Sequence, residues 1–272
     1  MRASPSIVAA GASRLAPAVA ALAFAGLVAA PGVAEDAQIA ARRAAQQKIF
    51  TDAEIADGFF KIAFGAEFHV AGRVDRIRKY DGPVRVFVEG RAKPDRRRQV
   101  AEVIADIRAR IDHLDIAVTD DRRDANMLVT LVRDRDLERT IRAFYGRDRA
   151  RQIQSSLEPQ CLSGFQKDDQ YRIVRADVIL VVDAGEFVFY DCVYEELLQA
   201  LGPINDDSSV PWTMFNDNVQ MGFFGLYDQY LLNILYDPRI RPGMTREEVR
   251  ALLPQVLPSA RAFVARANAL AP

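Results

Sequence analysis

Apolar residues recur along the chain at intervals of two and of three to four, which predicts alternating strands and helices. A capping box at 51–54 predicts a helix that ends near residue 64. β-branched residues between glycine and proline signals predict a strand at 84–88, and apolar residues at helical spacing predict an amphipathic helix at 97–114. Two further strands are predicted at 114–118 and 127–132.

The most strand-like segment of the chain, residues 176–182, is almost continuously apolar, which indicates burial on both faces of a sheet. A buried helix is predicted next, at about 187–201, and Gly202 followed by Pro203 predicts its end. Its apolar stripe consists of Val193, Leu197, Leu198 and Leu201.

Three other segments have simpler interpretations. Charges of both signs alternate at 133–151, which favours a solvated helix over a basic binding face. Aromatic residues at 216–236 favour packing beneath the buried helix over an exposed ligand groove. A capping box at 245–248 predicts a helix to about residue 253, and a last helix is predicted at 259–270 after a proline.

The predicted buried helix has polar residues in a familiar frame. The segment from Glu195 to Asn205 keeps the spacing of H-E-x-x-H-x-x-G-x-x-(H/D), the signature that zincin metallopeptidases use to bind zinc. The general-base glutamate of that signature falls on Glu196, whereas the two helical histidine positions hold Glu195 and Gln199. The third ligand position falls on Asn205, with Asp206 beside it.

Downstream residues extend this resemblance. Met214 resembles the methionine turn of the metzincins, and segments 235–239 and 242–244 are similar to the end of a bacterial family of exported proteins with an E-E-x-x-Q-x-L-G motif, grouped with the zincins. The resemblance covers roughly the last two-thirds of the chain. It implies an α+β domain at 49–272 with a zincin-like core, a mixed and mostly parallel twisted sheet, a central site helix and a helical C-terminal part.

The start of the chain predicts export. In residues 1–34 only Arg2 and Arg14 are charged, the centre is apolar, and small residues precede Glu35, as in a secretory signal peptide. An uncleaved membrane anchor is the alternative, and no later run is long and apolar enough to span a bilayer. We therefore expect a periplasmic or extracellular protein, with a linker or loose helix at 35–48.

Side chains that bind zinc are scarce. The only two cysteines, Cys161 and Cys192, favour a disulfide in an exported chain, which would fasten the site helix to the segment around Cys161. The only two histidines, His69 and His113, lie far from the motif in sequence and are interpreted as ordinary surface or packing residues. Three imidazoles are therefore not available for a zinc site.

The polar residues of the motif permit three interpretations. In the first, the metal is lost, and Glu195, Glu196 and Gln199 form a hydrogen-bonded network in a binding or scaffolding fold. In the second, oxygen ligands from Glu195, Gln199 and Asn205 or Asp206 hold a harder divalent cation such as Ca²⁺ or Mg²⁺. In the third, the two glutamates are exposed helix surface and there is no site.

These observations favour a non-catalytic binding or scaffolding module of the cell envelope, without a cofactor, that engages an extended peptide or an envelope protein. The alternatives are a metal-dependent, peptidase-like hydrolase with Glu196 as general base, and a structural envelope protein with no site. A net charge of −1 gives no electrostatic reason to expect a nucleic-acid partner.

Overall fold

The computed structural model describes residues 35–65, 75–90, 92–156, 160–203 and 205–270. The predicted signal peptide at 1–34 and His69 lie outside these residues. In the described part of the chain, no helix combines the length and the apolar character that crossing a bilayer requires.

A mixed sheet lies at the centre of the described fold. Its five strands are β1 Val84–Glu89, β2 Ile116–Val118, β3 Met127–Val132, β4 Cys161–Lys167 and β5 Ile173–Val181. They are arranged in the order β2-β1-β3-β5-β4, in which β4 pairs antiparallel with β5 and all other neighbours are parallel. This mostly parallel sheet and the helices around it confirm the predicted α+β class.

Seven helices accompany the sheet in the described residues. They are α1 Ala37–Ala45, α2 Asp52–Ile62, α3 Arg97–Arg110, α4 Asp134–Ser156, α5 Glu186–Gln199, α6 Leu226–Tyr236 and α7 Arg246–Ala267. Both predicted capping boxes are present, at Thr51 before α2 and at Thr245 before α7. The charged run forms α4, which is kinked at Gly146, where φ is +78°.

Buried side chains lie on both faces of the sheet. On one face Val84 and Val86 of β1 and Val178 of β5 join the main core, which also contains the inner sides of α3 and α5. On the other face α4 covers a smaller core that includes Ile179 and Val181 of β5. Successive residues of a strand point to opposite faces, so the continuous apolar run of β5 serves two cores, as predicted.

The strand β4 is missing from the sequence-based prediction. Ser163 and Gly164 interrupt its apolar pattern, because serine is polar and glycine has no side chain to pack and is depleted in strands. Leu162 is buried in the smaller core, and Phe165 packs at the border of the main core. As an edge strand, β4 is held by its pairing with β5 more than by its own apolar content.

The prediction of two C-terminal helices is wrong. One helix, α7, runs through Pro254 and Pro258, although each proline removes an N–H donor and disfavours the helix locally. Both prolines are exposed, so their rings point away from the packed side of α7. Tertiary packing overrides the local signal there, through Val249, Leu253, Val256, Leu257, Ala260 and Val264.

The segment predicted as a linker or loose helix contains α1, and α1 is packed on the domain. Ile39 is 3% exposed, and the Arg42 Nε donates to the carbonyl oxygen of Gln220 at 2.7 Å. The aromatic segment around α6 is also buried, in agreement with the packing interpretation, through Phe223, Phe224, Tyr227 and Tyr230.

Candidate functional site

A disulfide joins the site helix α5 to the edge strand β4. Cys161 and Cys192 are bonded with an S–S distance of 2.05 Å and a Cα–Cα distance of 5.7 Å, which confirms the predicted pair. Cys192 lies one turn before Glu195 on α5. The bridge therefore holds β4 next to the part of α5 that bears the motif.

Gly202 follows the end of α5, as the sequence predicts. Its φ is +138°, and a Cβ atom at this position would lie 2.2 Å from the main-chain oxygen of Arg78. Only glycine tolerates both conditions. The chain therefore turns sharply at Gly202, and the segment 205–225, called the returning segment below, comes back to α5 through the contacts described next.

Three carboxylates converge beside α5 and are called the acidic group below. Glu195 of α5 and Asp206 and Asp217 of the returning segment each place one oxygen within 4.8 Å of the others. Glu195 and Asp206 are half-buried, and Asp217 is exposed. The sequence predicted Glu195 and Asp206 as candidate ligands and missed Asp217.

Gln199 connects this group to the sheet. The Gln199 Nε2 donates to the two carboxylate oxygens of Asp206, at 3.1 and 3.4 Å. Its Oε1 accepts a hydrogen bond from the Ser163 Oγ of β4 at 3.2 Å. Gln199 is 4% exposed, so both polar ends of its amide are satisfied inside the protein.

The acidic group is electrostatically unfavourable when fully ionised. Burial raises the pKa of Asp206 to about 6, the charge of Asp217 adds to this effect, and the hydrogen bond from Gln199 opposes it. Burial, followed by the negative charges of Glu196 and Asp206, raises the pKa of Glu195 well above its usual range. A proton or a cation would relieve this repulsion.

Two motif residues lie apart from the acidic group. Asn205 is turned towards α2, where its Nδ2 donates to the Lys61 carbonyl oxygen at 2.8 Å, so Asp206 takes the place beside Gln199. Glu196 is 6% exposed. The pKa of Tyr145 on α4 is raised by burial, then by the charge of Asp177 and then by the charge of Glu196, so Glu196 lies near that phenol. The third interpretation, in which both glutamates are exposed, is therefore wrong for Glu196.

The returning segment is fixed by buried carboxylates that the sequence analysis missed. Asp228 of α6 accepts hydrogen bonds from the Thr213 Oγ1 at 2.5 Å and from the Met214 N–H at 3.2 Å. Asp191 of α5 accepts the main-chain N–H groups of residues 221 and 222 at 2.6 and 3.0 Å. Met214 itself is 1% exposed in the main core. Burial raises the pKa of Asp228 to about 7.

A family model described as "Protein of unknown function (DUF2927)" matches residues 52–255. The chain belongs to the DUF2927 family. The matched range begins with α2 and contains the whole sheet, α5 and the acidic group. No curated protein and no solved structure matches this DUF2927 chain.

The acidic group of this DUF2927 protein offers oxygen ligands and no nitrogen or sulfur ligand. His113 lies in the turn after α3 with a φ of +60°, and its Nε2 is 3.5 Å from the Asp112 carboxylate. Carboxylate oxygens suit hard cations such as Ca²⁺ and Mg²⁺, whereas zinc sites prefer imidazole and thiolate. The donor set therefore fits a hard cation and does not fit a zinc ion.

Proposed function

We propose that this protein is an exported, zincin-like protein of the cell envelope that binds an extended peptide without cleaving it. The observation that supports this proposal is the amide of Gln199, which is bonded to Ser163 on one side and to Asp206 on the other. A zinc-binding imidazole at this position needs its nitrogen for the metal. Here the side chain links two structural elements instead.

The zincin-like part of the proposal is supported by the order of elements. A helix, a strand, a helix, two strands, the helix α4, the edge strand β4, the doubly buried strand β5 and then α5 follow one another. Apart from α4, this is the order that the resemblance implies. Export is supported by the composition of residues 1–34 and by the disulfide, because disulfides persist in oxidising compartments.

The peptide would pair with the outer edge of β4. Val181 N–H donates to the Gln160 carbonyl oxygen, so the hydrogen-bonding positions towards β5 are 160, 162, 164 and 166. The main-chain groups of Cys161, Ser163 and Phe165 then point outward, and in the described residues they take part in no main-chain hydrogen bond outside the sheet. An edge of this kind accepts an added strand.

Amide hydrogen exchange with a peptide selected from a random-peptide phage library tests this binding mode. We expect the peptide to slow exchange at Ser163 and Phe165, because their N–H groups gain partners. The amides of Leu162 and Gly164 are matched controls, since they already bond to β5 and should change little. A peptide methylated on alternate main-chain nitrogens should bind much more weakly. Protection of neither outward amide by any selected peptide would overturn the proposal.

The acidic group favours a second candidate function, in which a hard cation is bound by Glu195, Asp206 and Asp217. Gln199 can adapt to a cation if its side-chain amide rotates by half a turn. Its Oε1 then faces the cation, and its Nε2 donates to the hydroxyl oxygen of Ser163.

Metal analysis by mass spectrometry separates the two candidates. Stoichiometric Ca²⁺ or Mg²⁺ that is lost in Asp206→Asn, and kept in the control Asp207→Asn, would support the cation-dependent function and count against a metal-free binding module. If a hydrolytic activity accompanies the metal, Glu196→Gln tests whether Glu196, which lies apart from the acidic group, acts as its general base. An activity that survives this replacement excludes Glu196 as the general base.

A further inference from the structure

A cavity of about 240 Å³ lies between α1 and the segment 211–227. Aromatic side chains form one side of it: the ring centroid of Phe50 is 5.6 Å from that of Trp212 and 4.8 Å from that of Tyr227. None of the described residues that line the cavity belongs to β4, α5 or the acidic group. A ligand there would not depend on the proposed peptide or cation sites.

The charge of the cavity favours an anion. Arg42 lines it, and its described lining contains no carboxylate. The guanidinium is held in place, since its Nε donates to the Gln220 carbonyl oxygen at 2.7 Å and its carbon lies 4.4 Å from the ring centroid of Phe187. The amino-terminal end of α6 also faces the cavity, where the Leu226 N–H donates to the Gln46 Oε1.

Asp191 is a carboxylate close to Arg42. The charge of Arg42 lowers the pKa of Asp191, although burial raises it more strongly. The Asp191 Oδ1 accepts the main-chain N–H groups of Met221 and Gly222. Asp191 is not part of the cavity lining.

We propose that this cavity binds a small aromatic carboxylate, with one ring and a short acid-bearing arm. The volume is below the range of about 300–1,000 Å³ that is usual for drug-sized ligands, so the ligand must be small. Its ring packs against Phe50, Trp212 and Tyr227, where offset or edge contacts are favourable. Its carboxylate pairs with the guanidinium of Arg42 in a charge-assisted hydrogen bond.

Hydrocinnamate is a suitable probe, and its neutral amide, hydrocinnamamide, is the matched control. Trp212 is the only tryptophan of the chain, so intrinsic fluorescence reports directly on the cavity. We expect a saturable fluorescence change with hydrocinnamate. The amide should bind about tenfold more weakly, because it lacks the negative charge. Arg42→Gln should remove this preference, and Arg42→Lys should restore part of it.

Ala45→Phe provides a second variant that does not alter the charge. Ala45 is exposed at the end of α1 and lines the cavity, so a phenyl ring there fills the space without disturbing the core. This variant should lose binding of both probes while its circular dichroism and thermal midpoint stay unchanged. Equal binding of acid and amide, unchanged binding by Ala45→Phe, or no saturable signal with hydrocinnamate would each overturn the proposal.

Discussion

Replacement of Asp206 by asparagine should stabilise the protein at neutral pH and leave its stability unchanged in acid. In the unfolded chain this carboxyl has its ordinary pKa of about 3.8, whereas in the native protein burial and the charge of Asp217 raise its pKa to about 6. Since the native state holds the proton more tightly, ionisation of Asp206 opposes folding, and stability falls as the pH rises from about 4 through 6.

The size of this effect follows from the shift. A difference of about two pKa units corresponds to about 3 kcal/mol at pH values above 6, given 1.36 kcal/mol per unit. Asparagine keeps an oxygen that can accept from Gln199 and removes the charge. The free energy of unfolding of Asp206→Asn should therefore exceed that of the wild type by up to about 3 kcal/mol near pH 7.5 and converge with it near pH 4.

Urea denaturation across this pH range in a metal-free buffer measures the difference. Asp207→Asn is a matched control of opposite sign, because hydrogen bonds from Ser209 lower the pKa of Asp207 despite its partial burial. That variant should lose stability at neutral pH and approach the wild type as the pH falls. An Asp206→Asn effect that is the same at pH 4 and pH 7.5 would refute the electrostatic reasoning. Asp217→Asn should lower the pH at which ionisation of Asp206 reduces the stability of the protein, since the charge of Asp217 contributes to the raised pKa of Asp206.

Three further predictions concern the frame around the site. Gly202→Ala should destabilise the protein by about 2 kcal/mol or more in urea, because φ is +138° and a Cβ would meet a main-chain oxygen at 2.2 Å. Gly82→Ala should change little, since a Cβ at Gly82 would have no atom of a described residue beyond its chain neighbours within 4 Å. Double replacement of Cys161 and Cys192 by serine should cost about 3 kcal/mol, since the bridge closes a loop across a sequence separation of 31, and added reductant should affect only the wild type. Pro254→Ala should raise the thermal midpoint, with a gain of about 1–3 kcal/mol, because an exposed position inside α7 regains a main-chain hydrogen bond; an unchanged or lower midpoint would contradict this.

Much of the fold can be predicted from local patterns. The strands β1, β2, β3 and β5 and the helices α2, α3 and α5 have strong periodicity, and some of their ends carry a local signal, such as Gly90 after β1, the capping box at Thr51 before α2 and Gly202 after α5. The errors occur where tertiary packing decides. Pro254 and Pro258 predict a break in a helix that buried contacts hold together, and β4 has too little apolar content to be recognised without β5 beside it.

The site could be predicted in part, for a related reason. Glu195 and Gln199 share one side of α5 because of helical spacing alone. The approach of Asp217 depends on a segment without regular structure, which Asp191 and Asp228 hold mainly through main-chain N–H groups. Bonds of this kind leave no pattern of paired side chains in the sequence, so local reasoning could not find them.

Gln199 connects the two candidate functions, because the same amide serves a metal-free network and a cation site in its two orientations. With Nε2 towards Asp206 it donates to that carboxylate and stabilises its ionised form, and the hydroxyl of Ser163 donates to Oε1. With the amide rotated, Oε1 joins Glu195, Asp206 and Asp217 as a fourth oxygen, and the hydroxyl becomes the acceptor. Gln199→Glu separates these cases: an added carboxylate should strengthen Ca²⁺ binding if the acidic group is a cation site, and should only destabilise the metal-free protein at neutral pH if it is not. Since Ser163 belongs to the edge strand β4, either orientation couples the acidic group to the strand on which the peptide is proposed to bind.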